Sequence, residues 1–307
     1  MKPLVQSFFK NFIYVIGLSF FSLQAHAAAC CGGGFAAPSL IAGDDKAQVS
    51  TSLSNTEVII DNVDSQGVWT KWDTHQTVRT FKIDGAHIIS DLWQIGLSVP
   101  VIQRSHLEQS YSGLGDINTS LGYEYLPDWD YNPYRPKGLG YLQITLPTGK
   151  SKAESEVGGL DSRGQGFWAI GAGTLLTKTW SAWDAFVSAD IHTSFSKKIK
   201  TSSLEAELKP GFGANWGGGF GYNQKDFRYG ASLTWNYEDP VIATNQGQII
   251  YAGAVERYAT ATMSLSYLAN DEWSGSISYS DQTLFGDPVN TSLGRGAAVQ
   301  IQRRWGR

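Results

Sequence analysis

Cysteine is almost missing from this sequence: Cys30 and Cys31 are the only two in 307 residues. So sparse a supply excludes the disulfide framework that staples many small secreted domains. Long apolar runs are equally scarce. Beyond the N-terminus, no stretch approaches the roughly 20 residues that a helix needs to cross a bilayer. This excludes a helical membrane protein and leaves a barrel open, because barrel strands are short and each gives only a weak signal. Basic clusters are missing too. With 24 Lys and Arg against 28 Asp and Glu, the net charge is −4, and no patch suggests nucleic acid as a partner. No residue pattern marks a metal site, and no cofactor is expected. Glycine, tyrosine and tryptophan are plentiful, and their placement decides the fold class.

The N-terminus reads as an export signal over residues 1–27. Lys2 and Lys10 give a positive start, residues 12–23 are apolar, and Ala25-His26-Ala27 is a small-x-small cleavage site. Its removal takes away two lysines and no carboxylate, so the charge moves from −4 to −6. Residues 28–46, with Cys-Cys-Gly-Gly-Gly at their start, are expected to form a flexible periplasmic segment. Residues 27–30 partly match a lipoprotein cleavage site but lack the leucine three positions before the cysteine. Lipidation of Cys30 and a disulfide involving Cys30 and Cys31 both stay open.

From about Ala47 the chain alternates at period two. The clearest stretch is Gly113–Leu126, where Ile117, Thr119, Leu121, Tyr123 and Tyr125 share one face. Asp116, Asn118, Ser120, Gly122 and Glu124 share the other, as in a strand with one apolar and one polar environment. About twelve such strands can be traced, near 47–54, 75–83, 93–101, 113–126, 141–146, 168–174, 183–192, 204–222, 227–238, 258–267, 273–280 and 297–305. Residues 55–72, 127–137, 150–165, 197–203, 239–252 and 281–295 are expected as longer connections, and 84–90 as a turn. Most of the short connections fall on the side that holds both termini, as in an outer-membrane barrel.

The aromatic residues separate a barrel in lipid from a soluble sandwich. Trp93, Tyr125, Trp183, Tyr222, Phe227, Tyr267, Trp273 and Trp305 lie on the apolar face near the short turns. Trp168, Phe195, Trp235, Tyr237 and Tyr279 lie on that face toward the long loops. Two girdles with small aliphatics between them are what a lipid-facing surface requires, whereas a soluble core gives no reason to band aromatics by height. The expected fold is therefore all-β: a closed, antiparallel, up-and-down transmembrane barrel over residues 47–307. Its partners would be outer-membrane lipids and the barrel-assembly machinery.

The opposite face supplies the candidate lumen: Asp116, Glu124, Asp184, Asp190, His192, Glu205, Glu207, Lys209, Arg228, Glu238 and Arg304. Carboxylates outnumber cations, so one reading is a narrow, acid-biased conduit for neutral or cationic solutes. The other is that these groups pair across strands and only make the interior polar.

Gly113-Leu114-Gly115-Asp116, the strand ending in Tyr123 and Tyr125, residues 142–150 (Leu-Gln-Ile-Thr-Leu-Pro-Thr-Gly-Lys) and Gly164-Gln165-Gly166 carry a resemblance. They resemble the outer-membrane proteins grouped with the MetA pathway of phenol degradation, transporter-like barrels distantly similar to long-chain fatty-acid channels. The likeness is best from Gly113 to Gly173. It implies uptake of small, often aromatic or apolar, molecules and no catalytic residues. The Cys-Cys-Gly-Gly-Gly start is not part of that pattern.

Two other classes compete. An enzyme would need a nucleophile beside a base and an orienting group. His192 and Asp190 share a face with serines at 188 and 194, but no Ser/His pattern like that of outer-membrane phospholipases lies on the apolar face. A structural or adhesive barrel would act through its long loops, above all 55–72 and 150–165.

Overall fold

The computed structural model describes residues 38–71, 76–130, 132–200 and 205–306. The export signal, Cys30 and Cys31 lie outside the described residues. Twelve antiparallel strands form the wall: β1 (Asp45–Val63), β2 (Gln76–Ser90), β3 (Trp93–His106), β4 (Ile117–Leu126), β5 (Lys137–Leu146), β6 (Ala169–Trp180), β7 (Trp183–Ser194), β8 (Phe212–Gln224), β9 (Phe227–Glu238), β10 (Glu256–Leu268), β11 (Trp273–Asp281) and β12 (Thr291–Gly306). Each pairs with its sequence neighbours, and β1 closes the barrel against β12 from Asp45↔Gly306 to Val63↔Thr291. Closure leaves the wall without edge strands, the condition under which a sheet can sit in lipid.

The wall is apolar outside and polar inside. Leu53, Leu142, Val187, Ile191, Met263, Ile277, Val299 and Ile301 are exposed on the outer face, while Ser52, Ser98, Asn118, Gln143 and Gln300 are buried on the inner one. A soluble barrel would reverse this order, since a contiguous exposed aliphatic belt is unfavourable in water. The belt is bordered by aromatic pairs. At the end holding the termini, Trp93 packs on Tyr123, Trp183 on Tyr222 and Phe227 on Tyr267, with Arg303 over Trp273 and Trp305. Tyr125 joins them through its hydroxyl, 2.7 Å from that of Thr174. Toward the other end, Trp168, Phe195 and Tyr279 are exposed, Trp216 stacks on Trp235, and Tyr237 donates to Asp239.

Several boundaries differ from the sequence reading. Residues 55–63, expected in a loop, continue β1, and 84–90, expected as a turn, complete β2. In the first stretch the outward Asn55 accepts a hydrogen bond from Arg79 on the neighbouring strand at 3.1 Å, a polar outer position that hides the alternation. The long strand expected over 204–222 is two elements, because Pro210 lacks an N–H and ends the first of them. Glu205–Lys209 instead joins Lys197–Lys200, Ile242–Asn245 and Gln248–Ala252 in a separate four-stranded loop sheet. Phe167, Ile199, Ala206, Leu208 and Ala243 form its small core.

Candidate functional site: a lumen with two inserted segments

Inside the wall lies a cavity of about 1910 Å³ whose lining runs from Asp45, Asp226 and Arg304 at the terminal end to Ile250, Tyr251 and Asn290 at the loop end. Inward glycines let neighbouring side chains lie flat on the wall rather than across the opening. A Cβ at Gly219 would come within 2.5 Å of the Phe186 ring, for example.

Of the eleven candidate lumen residues, eight are inward on barrel strands or beside them. Asp184 is gripped by Arg228, whose Nε donates to it at 2.9 Å, and by Asn223 at 2.9 Å. Glu124 pairs with Lys137 at 3.4 Å. His192 stands between Glu238, 3.0 Å from Nε2, and Asp190, 3.8 Å from Nδ1. Asp190 also accepts from Asn215 at 2.9 Å and from the Tyr141 hydroxyl at 3.4 Å. Arg304 lies 3.9 Å from Asp45 at the terminal end. Glu205, Glu207 and Lys209 are corrected: they sit on the loop sheet, outside the cavity lining, in ion pairs of their own with Lys200 and with each other. Lys82 and Asp84, which the sequence reading missed, add another inward pair at 3.0 Å.

The eighth residue, Asp116, has a different role. It occupies the break between β4 and its upward continuation Gln109–Leu114, and it holds a loop. Its carboxylate accepts the backbone N–H of Gly149 at 2.8 Å, Gln165 at 2.7 Å and Gly166 at 3.1 Å. Both ends of the connection 147–168 are thus drawn to one inward side chain. Arg104 donates to the Ser162 carbonyl at 2.8 Å and Arg163 to that of Ser112 at 3.1 Å. The loop then borders the cavity through Lys152, Val157, Leu160 and Arg163. Residues 150–165, expected as a long connection, are folded over the lumen.

Within this loop Ser151 and Glu154 make a capping box around a single 3-10 turn. Glu154 pairs with Lys197 at 2.7 Å, and Asp161 with Lys150. Burial alone would push both carboxyls up, but hydrogen bonds outweigh it and hold both below the ordinary carboxylate range. For Glu154 the donors are Lys197 and Ser151, and for Asp161 they are Lys150 and Ser155. A lowered folded-state value means these contacts are fully present above the unfolded carboxyl pKa of about 4 and are lost as pH falls through the lowered values. The expected outcome of acidification is a loop that loosens: pepsin cleavage within 147–168, negligible at pH 5, should accelerate as pH drops below about 4. Cleavage indifferent to pH, after correction for pepsin's own profile, would contradict this.

A second segment enters from the terminal end. Residues 38–44, expected to be flexible, run along the inner wall, with Ile41 only 1% exposed. Gln94 accepts the Ile41 N–H at 2.6 Å and donates to its carbonyl at 3.2 Å. Gln48 donates to Leu40 at 2.9 Å, and the Ser120 hydroxyl to Ser39 at 3.4 Å. The seat is cut by two glycines. A Cβ on Gly96 would overlap the Ser39 carbonyl, and one on Gly122 would come within 2.9 Å of Leu40. The only sequence signal for this seat was that Gln94, Gly96, Ser120 and Gly122 share the inward face.

Known structures share this architecture. An outer membrane channel from Pseudomonas putida F1 is 11% identical, covers 92% of this chain and 100% of its own, and superposes with a TM-score of 0.67. A mutant of the TodX monoaromatic hydrocarbon channel is 12% identical over 94% of this chain and 95% of its own, with a TM-score of 0.47. The translocator domain of the autotransporter NalP from Neisseria meningitidis is 12% identical over 86% and 90%, with a TM-score of 0.45. At 11% identity the likeness to the first of these is one of fold, a closed antiparallel barrel. No protein-family model matches the sequence, and no curated protein matches it.

Proposed function

We propose that the chain is an outer-membrane channel for small molecules, exported by its N-terminal signal and inserted with both termini in the periplasm. The observation that carries this reading is the polar cavity lined from one end of the barrel to the other inside an apolar wall. The shared fold with an outer membrane channel supports it. The finer reading follows the sequence resemblance to the MetA-pathway group, namely passage of small aromatic or apolar solutes. Phe186, Leu175, Ile102 and Leu160 add apolar side chains to the lining, consistent with such cargo. The network around His192 reads as wall structure rather than as catalytic machinery, because carboxylates flank both of its ring nitrogens. The loop 150–165, engaged with the lumen, is poorly placed for adhesion.

Charge selectivity is expected to be weak. The inward carboxylates Asp84, Glu124, Asp184 and Glu238 each face a lysine, arginine or histidine within 3.5 Å. Paired charges leave little net field to sort ions. In planar bilayers with a salt gradient, the purified protein should conduct with a small reversal potential of cation-selective sign. Strong anion selectivity would remove the acid-biased conduit. No conductance, even from a variant lacking both inserted segments, would remove the channel.

A further inference from the structure

The connection between β4 and β5 is the one terminal-end turn that is long, and the lumen does not use it. It folds back over the outside of the wall instead. Lys178, an outward position on β6, keeps only 5% of its side chain exposed because Asp128 covers it at 3.2 Å. The indole of Trp180 donates to the Pro133 carbonyl at 2.7 Å, and Arg135 closes the connection by donating to the Pro127 carbonyl at 2.9 Å. Among the described residues of the connection, two aromatic side chains point away from the protein: Trp129 is 74% exposed and Tyr134 is 94% exposed.

The position of these rings matters more than their exposure. Tyr125, Trp180 and Trp183 on the neighbouring strands belong to the aromatic border of the apolar belt, so the connection continues that border outward at the same height. Trp and Tyr favour the headgroup level, where an apolar ring and a polar tip are both accommodated. Prolines at 127, 133 and 136 reduce the freedom that would be lost on insertion. The remaining charges near the rings, Asp130 and Arg135, are of opposite sign, which suits a zwitterionic surface better than an anionic one.

We propose that Trp129 and Tyr134 form a membrane-lying anchor that inserts into the phospholipid headgroup layer of the periplasmic leaflet. The proposal rests on the outer-membrane reading above. It assigns this connection a lipid partner rather than a soluble periplasmic protein.

The test uses the full chain with Cys30 and Cys31 replaced by serine, reconstituted alone in phosphatidylethanolamine–phosphatidylcholine nanodiscs. Single cysteines at W129C and Y134C carry an environment-sensitive dye, with L142C as a mid-belt control and D271C as a control in a short terminal-end turn. Dyes at 129 and 134 should be quenched several-fold less by aqueous iodide than the dye at 271. They should also be quenched by lipids brominated near the headgroup. If 129 and 134 match 271 while 142 is shielded, the anchor is overturned and the membrane reading stands. If 142 is also open to iodide, the membrane reading falls with it. A soluble-partner site would give the first of these failures, because no partner is present.

Discussion

Asp116→Ala is expected to release the connection 147–168 from the wall and to raise single-channel conductance several-fold. The carboxylate is the shared acceptor for Gly149, Gln165 and Gly166, residues far apart in the loop but brought together at one point. Each hydrogen bond to a charged acceptor contributes about 1.5–3 kcal/mol. Alanine leaves three backbone donors without that acceptor in a confined site. Gly164 packs so closely on the Asp116 carboxyl that it has no room for a side chain of its own. A Gly164→Leu substitution should therefore reproduce the effect from the other side of the contact. Trypsin gives an independent readout, since Lys150, Lys152 and Arg163 lie in the loop that Asp116 fixes and should be cleaved faster once it is released. Wild-type conductance together with a protected loop in D116A would show that this carboxylate does not hold the loop in place.

The alternation that follows Asp116 is legible in the sequence, and the use made of this carboxylate is not. Ile117–Leu126 separates its faces cleanly because each outward residue meets the apolar belt and each inward one the polar lumen, whereas Gln109–Leu114 is a separate strand beyond the break at Asp116. The same rule failed at 55–63 and 84–90. In the first stretch Asn55 pairs with Arg79 on the outer face and the alternation loses its chemical contrast. The second lies at the terminal end, where Gly85 and His87 are paired with Val49 and Ala47 and resemble turn residues in sequence. It also failed at Glu205–Lys209, where apolar and charged residues alternate on a loop sheet with its own small core. The Lys209-Pro210-Gly211 break was the available signal. The inserted segments were out of reach for another reason. Gly149 lies 33 residues from Asp116, and Ile41 lies 53 from Gln94. Periodicity reports which face a residue occupies, and says nothing about which distant backbone its side chain will bind. The inward glycines at 96 and 122 could be read as small, but not as a seat for another part of the chain.

That seat yields the second large expected effect. Deleting residues 38–43 should raise conductance several-fold, and Gly96→Leu should do the same in the full-length chain. The leucine side chain would occupy the space of the Ser39 carbonyl and the adjoining backbone. The Ser120 hydroxyl, which that Cβ would overlap, must also turn aside, while the strand pairings with Ala86 and Ser120 use only backbone atoms and are kept. Gln94→Ala should give a smaller increase. It removes the two-point grip on Ile41, about 0.5–1.5 kcal/mol for each neutral hydrogen bond, but leaves the groove intact. The two segments enter from opposite ends of one lumen, so D116A combined with the deletion should conduct more than either change alone. Unchanged thermal stability and sharp current levels in the variants separate release of these segments from general loosening of the barrel. If the deletion, G96L and Q94A all keep wild-type conductance, residues 38–43 pack on the wall without restricting the lumen.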